Sequence, residues 1–156
     1  MTGRAIEQLT LGEAAEVSRD VKSEDITVFV HLIGDRNPVH SDPALMGQTR
    51  FGEPIVPGMW TASQVSAVIG TRLPGPGSIY ASQDLHFLKP VKVGDTITAR
   101  VEVIELIHQR NRVRLRTTCT NQRGEQVLSG EAWVLPPRGP VRAAPNRQAG
   151  TPRRRY

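Results

Sequence analysis

The segment GMWTASQVSAVIGTRL, residues 58–73, decides the fold class. It contains no charged residue before Arg72, and its side chains are small or apolar on nearly every face. Because a helix that is apolar all round is a buried helix, this segment predicts a helix that lies inside the molecule. The sequence PGPG at residues 74–77 ends it.

Four segments after this helix predict β-strands, because apolar and polar side chains alternate along them. They are Ile79 to Leu88, Thr96 to Ile107, Arg112 to Asn121 and Gln126 to Leu135. Short turns separate the strands, which predicts an antiparallel meander with one buried face. The helix at 58–73 is the segment available to cover that face. The predicted fold is therefore α+β, the hot-dog fold of an antiparallel sheet wrapped around a long central helix.

Weaker patterns precede the central helix. A first strand is predicted within residues 5–21, followed by a short amphipathic helix with Ser23 as its N-cap and Gly34 after its last turn. Residues 35–57 carry four prolines and predict a loop without regular structure.

The charge of the chain is unevenly distributed. The net charge of the 156 residues is +5, but six arginines and no acidic residue lie from Arg138 onward, which leaves 14 basic and 15 acidic side chains in residues 1–137. We therefore predict one globular domain over 1–137 and a basic, Pro/Arg-rich disordered tail over 138–156. Because the excess positive charge lies in the tail and aromatic residues are few, we expect no nucleic-acid partner.

Several classes of protein and site are disfavoured by the composition. No stretch has the roughly 18 to 20 apolar residues of a membrane helix, and acidic residues near the N-terminus disfavour a signal peptide, so we expect a cytoplasmic protein with no membrane partner. Cys119 is the only cysteine, which excludes an internal disulfide; its place on an apolar strand face favours an inert, buried thiol. The four histidines lack the paired spacing of a metal site, so we expect none.

The first candidate for chemistry is GDRNPVH at residues 34–40. Gly, Asp, Asn and Pro are also the residues of ordinary turns. Here, however, Asp35 and His40 lie five residues apart on a proline-stiffened loop between two predicted helices. A carboxylate and an imidazole that reach one ligand are the minimum needed to move protons to and from a substrate.

The second candidate is PIVPGM at residues 54–59. A helix that begins near Gly58 presents unpaired backbone N–H groups, and glycine allows a ligand to approach them closely. Such groups stabilise negative charge that develops on a carbonyl oxygen. Beside an acid/base pair, they favour chemistry at carbons conjugated to a carbonyl.

At these residues the sequence resembles the MaoC-like dehydratases, in particular the (R)-specific enoyl-CoA hydratases. The GDxNPxH motif at 34–40 is the specific part of the likeness, which covers about residues 8–136. The resemblance implies a hot-dog homodimer that hydrates trans-2-enoyl-CoA reversibly, by syn addition, to (3R)-3-hydroxyacyl-CoA. It implies an acyl-CoA substrate and no metal or redox cofactor.

The resemblance also implies roles for individual residues. Asp35 and His40 hold and activate the water, and Asn37 braces their loop. The backbone amide of Gly58 binds the thioester oxygen, and Ser66 supports the site from the central helix. The residues implied to contact the acyl chain are Ile69, Val134 and Met46.

Two residues depart from the family pattern. Pro57 stands where histidine is common, and Met46 stands where a small residue is preferred, which bears on substrate range and rate more than on reaction type. Three alternatives stay open. They are a hydratase or dehydratase of another acyl thioester, including one on acyl carrier protein; a non-catalytic acyl-CoA-binding hot-dog module; and a nucleic-acid or surface-binding protein acting through its tail.

Overall fold

The structure is a computed structural model that describes residues 2–142. Within them, the helices are α1 (Ser23–Ile33), α2 (Pro43–Met46) and α3 (Gly58–Thr71), with single 3₁₀ turns at Ile6–Gln8, Pro38–His40 and His108–Arg110. The strands are β1 (Ala14–Asp20), β2 (Ile79–Gln83), β3 (His86–Phe87), β4 (Thr96–Ile107), β5 (Arg112–Thr120) and β6 (Gln126–Leu135). The predicted bounds of α3, β4 and β6 are confirmed to within two residues.

The six strands form one antiparallel sheet in the order β1-β4-β5-β6-β2, with β3 also paired to β6. The predicted meander is confirmed for β4, β5 and β6. It is wrong for residues 79–88, which break into β2 and β3 and pair with β6 instead of β4. Gly130 of β6 permits this, because a Cβ there would lie 1.9 Å from the carbonyl oxygen of Asp84, the residue that follows β2.

The core lies between α3 and one face of the sheet. The side chains of β5 that alternate toward α3 are fully buried, as the sequence predicts; they are Val113, Leu115, Thr117 and Cys119. Val65, Val68 and Ile69 of α3 pack in the same buried cluster. Burial of each such aliphatic side chain contributes about 1.5–3 kcal/mol to folding. An antiparallel sheet packed on one central helix confirms the predicted α+β hot-dog fold.

Cys119 confirms the prediction of a buried thiol. Its Sγ lies 3.7 Å from the carbonyl oxygen of Thr61 on α3. Burial raises the pKa of Cys119 to about 12, so the thiol is protonated at neutral pH.

The prediction that α3 is buried on every face is wrong for the single chain. The sheet covers one side of the helix, and the opposite side exposes small residues without charge: Ser63, Ser66, Ala67 and Gly70. The uncharged surface of residues 58–73 is therefore larger than the area that this sheet alone covers.

Two local predictions before α3 also need correction. Ser23 is the first residue of α1 rather than its N-cap, because the extended backbone of Lys22 precedes it. The predicted loop 35–57 contains two one-turn helices, each starting at a proline and capped by an Asn37 or Asp42 side chain that accepts backbone N–H bonds. Proline at the first helical position is favourable there, since its missing N–H would be unpaired in any case.

The first residues of the predicted tail lie against the N-terminal segment. The N–H of Gly3 donates to the carbonyl of Val141 at 2.8 Å, and Thr2 and Arg142 form an antiparallel bridge. Residues 143–156, to which most of the tail prediction applies, lie outside the described residues. Across residues 2–142, no helix is long and apolar enough to cross a membrane.

Candidate active site

Asp35 is positioned by the end of α1. Gly34 adopts the left-handed conformation at φ 71°, which turns the chain out of the helix, as the sequence predicts. The Asp35 N–H then donates to the carbonyl of Val30 at 2.9 Å. The backbone of Asp35 is therefore fixed to the end of the helix, while the Asp35 side chain is 27% exposed.

The loop between Asp35 and His40 is held by its own polar groups. Asp35 Oδ1 accepts the N–H of Asn37 at 2.9 Å, and Asn37 Oδ1 accepts the N–H of Val39 at 3.3 Å. The carbonyl of Val39 accepts the N–H of Ile55 at 3.1 Å, which ties this loop to the segment before α3. Asn37 thus forms two hydrogen bonds within the loop, and its role as a brace stays a prediction.

His40 has different partners at its two ring nitrogens. Nδ1 lies 2.7 Å from the carbonyl oxygen of Ile55, so it must carry the proton of the neutral imidazole, since a carbonyl only accepts. Nε2 then has a free lone pair, and it lies 3.5 Å from Asp35 Oδ2. Two acceptors at this distance suit one water molecule that donates an O–H to each.

Gly58 begins α3, and its backbone faces the same region. Pro57 is the N-cap residue, and its carbonyl accepts the N–H of Trp60 at 2.9 Å. The N–H groups of Gly58 and Met59, the first two residues of the helix, have no carbonyl earlier in the helix to which they can donate. A Cβ at Gly58 would lie 2.8 Å from Cε1 of Phe87, so the aromatic ring depends on glycine at this position.

His40 and Gly58 line one pocket of about 420 Å³. Its lining is mostly apolar. The remaining lining residues come from the segment before α3, from the first turns of α3, from β3 and the residues after it, and from β6: Arg50, Phe51, Ile55, Val56, Met59, Thr61, Phe87, Leu88, Lys89, Pro90, Val91 and Val127. An imidazole and a helix N-terminus in an apolar cleft have the composition of a ligand site.

The other residues implied by the resemblance do not line this pocket. Asp35 lies behind His40, with its carboxylate 3.5 Å from the imidazole. Ser66 lies on the exposed side of α3. Ile69, Val134 and Met46 are each at most 1% exposed, and Ile69 and Val134 belong to the same buried cluster. Their contact with an acyl chain stays a prediction.

Several pocket residues were not identified from the sequence. Phe87 lies over Gly58 although the two are far apart in the chain, and Ile55 acts through a backbone carbonyl that no residue type reveals. Arg50 and Phe51 lie within the residues that resemble the family, and this is the one sequence signal that points to them. Across residues 2–142, no group of three His, Cys, Asp or Glu side chains is placed to hold a metal ion.

Comparison with known proteins identifies the family to which the chain belongs. The model of the MaoC like domain matches residues 8–124, which includes the Asp35 and His40 loop, Gly58 and five of the six strands. The chain belongs to the MaoC-like dehydratase family.

Relatives of this MaoC-like dehydratase match it over most of their length. It is 45% identical over 132 residues to the 3-hydroxybutyryl-CoA dehydratase of Methylorubrum extorquens, covering 85% of this chain and 83% of the relative. It is 43% identical over 131 residues to an (R)-specific enoyl-CoA hydratase of Rhodospirillum rubrum, covering 84% and 90%. Among solved structures, the unliganded R-hydratase PhaJ1 of Pseudomonas aeruginosa matches with a TM-score of 0.85 at 40% identity, covering 92% and 94%.

Proposed function

We propose that this MaoC-like dehydratase is an (R)-specific enoyl-CoA hydratase, a hydro-lyase that adds water reversibly to trans-2-enoyl-CoA. The observation that carries the proposal is the separation of 3.5 Å between His40 Nε2 and Asp35 Oδ2, beside a pocket that also contains Gly58. The names of the relatives at 45% and 43% identity support this reaction and an acyl-CoA thioester substrate.

The reaction begins with a water molecule between Asp35 and His40. His40 Nε2 takes a proton from the water as its oxygen bonds to C3 of the enoyl thioester, and Asp35 orients the water and stabilises the imidazolium that forms. The electrons of the C2–C3 double bond move to the thioester oxygen. Transfer of the proton to C2 then restores the thioester carbonyl and the neutral imidazole.

The negative charge on the thioester oxygen requires donors, and the N–H of Gly58 supplies one from the positive end of α3. Because the same Asp35 and His40 pair delivers both the oxygen and the proton, the two add to the same face of the double bond. Addition to one face gives a single hand of product, and the (R)-specific name of the relative at 43% identity supports (3R)-3-hydroxyacyl-CoA.

The homodimer implied by the resemblance is part of the proposal. The uncharged exposed side of α3 and the open edge of the sheet at β2, where Ile79 is 62% exposed, support a second copy of the chain as their cover. Sedimentation is expected to give a dimer, and Ala67→Glu is expected to shift it toward monomer. A monomeric wild-type protein at micromolar concentration would contradict the dimer.

The reaction is tested with crotonyl-CoA and the purified full chain. Loss of absorbance at the enoyl-thioester band measures hydration, and chiral analysis of the product measures its hand. We expect 3-hydroxybutyryl-CoA of (3R) configuration and the reverse reaction from that product. Absence of hydration, or formation of the (3S) product, would overturn the proposed function.

A further inference from the structure

The pocket beside His40 contains positive charge and no carboxylate. Of its lining residues, Arg50 and Lys89 are cationic, whereas none is acidic. The globular part of the chain is close to neutral, so this is a local excess of positive charge at an otherwise apolar cleft. An apolar substrate that carried no negative charge would gain nothing from it.

The two cations differ in how far they are already neutralised. Lys89 Nζ lies 2.7 Å from Glu125 Oε1, so it has an acidic partner. Arg50 has no carboxylate within ion-pair distance among residues 2–142. Arg50 is therefore the pocket residue with charge to offer a ligand.

Arg50 is also oriented before any ligand binds. Its guanidinium carbon lies 4.9 Å from the centroid of the Phe51 ring, a cation–π contact. The Phe51 backbone is in turn held by Lys92, whose Nζ lies 3.3 Å from the Phe51 carbonyl and 2.6 Å from Glu53 Oε1. A guanidinium held at the edge of a pocket loses less conformational entropy when it binds than a free side chain would.

We propose that Arg50 binds a phosphate group of coenzyme A and thereby selects CoA thioesters over thioesters that lack phosphate. This inference rests on the proposed function, because it takes an acyl-CoA as the ligand of the pocket. A guanidinium binds two phosphate oxygens with parallel N–H bonds, a geometry that the ammonium of lysine does not match. The acyl end lies toward His40 and Gly58, and the phosphate end toward Arg50.

The test compares crotonyl-CoA with crotonyl-pantetheine, which has the same reacting carbons and no phosphate. Arg50→Ala is expected to raise KM for crotonyl-CoA about fivefold to tenfold with little change in kcat, and to leave kcat/KM for crotonyl-pantetheine unchanged. Arg50→Lys is expected to recover part of the loss. Arg112→Ala, which removes an exposed arginine outside the pocket, is the matched control and is expected to change neither substrate.

The two proposals fail in different ways. An equal loss on both substrates in Arg50→Ala, or no loss on either, would overturn the phosphate contact while wild-type hydration still stands. If the wild-type protein hydrates neither thioester, the proposed function fails first. A salt-dependent rise in the wild-type KM for crotonyl-CoA that is absent in Arg50→Ala would further support the contact.

Discussion

At the scale of single residues, the hydrogen bond of His40 Nδ1 decides which ring nitrogen is able to accept a proton. The carbonyl of Ile55 holds the proton on Nδ1 and leaves Nε2 as a base directed toward Asp35. Asp35 Oδ1 accepts the N–H of Asn37, but within residues 2–142 no backbone N–H donates to Asp35 Oδ2 or to His40 Nε2, so a water molecule that donates to both is the natural occupant beside them. The pair is thus arranged to accept protons rather than to bond to each other.

We predict that Asp35→Asn and His40→Ala each lower kcat by about 10² or more, because each removes one end of the proton relay. The fold should persist, since neither side chain belongs to the core cluster. Steady-state hydration of crotonyl-CoA gives the rate, and circular dichroism checks the fold. Wild-type turnover by either folded variant would refute the assignment.

A matched control for this experiment lies on β3. His86 Nε2 is 3.6 Å from Asp84 Oδ2, nearly the distance in the candidate site, but the pair is largely exposed and lies outside the pocket. His86→Ala should therefore leave kcat unchanged. A comparable loss in this variant would mean that an Asp–His pair at this distance is not by itself diagnostic of the site.

A second residue-scale prediction concerns Gly58. Gly58→Ala is expected to lower kcat/KM about tenfold or more, because its methyl group displaces the Phe87 ring and blocks approach to the helix N-terminus. Gly139→Ala, where an added methyl group meets nothing within 4 Å, is the control. Full activity of Gly58→Ala would show that the thioester oxygen is held elsewhere.

At the scale of secondary structure, the surface of α3 has three different environments. Its first turn meets the pocket at Gly58, one side packs on the sheet through Val65 and Ile69, and the opposite side is exposed at Ser66. Ser66 and Ile69, which the spacing of three residues suggests are neighbours, thus lie in different environments. The exposed side is the one that a partner subunit is proposed to cover.

The prediction for α3 is that Ile69 limits the length of the acyl chain. Ile69→Ala is expected to raise kcat/KM for six- and eight-carbon enoyl-CoAs relative to crotonyl-CoA, by up to about fourfold for each methylene newly accommodated. The substitution also creates a core cavity that costs about 2–5 kcal/mol of unfolding free energy, so urea denaturation must be measured beside it.

Val68→Ala separates substrate range from stability. Val68 is fully buried on the same helix and is not predicted to contact the acyl chain, so its loss should destabilise the protein without changing the ratio of long to short substrates. An unchanged ratio in Ile69→Ala would place the acyl chain elsewhere. Met46 and Val134, which are equally buried, are then the next residues to vary.

At the scale of the whole molecule, the segment at residues 2–3 is joined to residues 141–142. The Gly3 N–H bond to Val141 and the contact of the Val141 side chain with Gly77 connect the N-terminus, residues 138–142 and the turn that follows α3. These contacts lie away from His40 and the pocket. We therefore expect the removal of residues 138–142 to affect the stability of the fold and not the catalytic rate.

We predict that the tail is dispensable for catalysis. Truncation after Arg142 should change neither kcat/KM for crotonyl-CoA nor the melting temperature. Truncation after Pro137 should also preserve kcat/KM but lower the melting temperature by about 2–4 °C, because the Gly3 and Val141 contacts are lost. A large rise in KM that high salt reproduces in the full chain would instead show that the tail arginines attract the CoA phosphates.

The sequence by itself determined the features that depend on local periodicity and on residue type. Alternation along 96–107 and 126–135 predicted β4 and β6, the uncharged run after Gly58 predicted α3, and GDxNPxH predicted the loop that bears Asp35 and His40. These predictions succeeded because a strand or a helix must present its apolar side chains to a core wherever that core lies.

Only the tertiary structure decided which segments meet. The pairing of β2 and β3 with β6 depends on the close approach of Asp84 to Gly130, and the tautomer of His40 depends on the carbonyl of Ile55. The ring of Phe87 reaches Gly58 only after the sheet has formed. Such contacts join residues distant in the chain through backbone groups and excluded volume, and neither leaves a periodic pattern in the sequence.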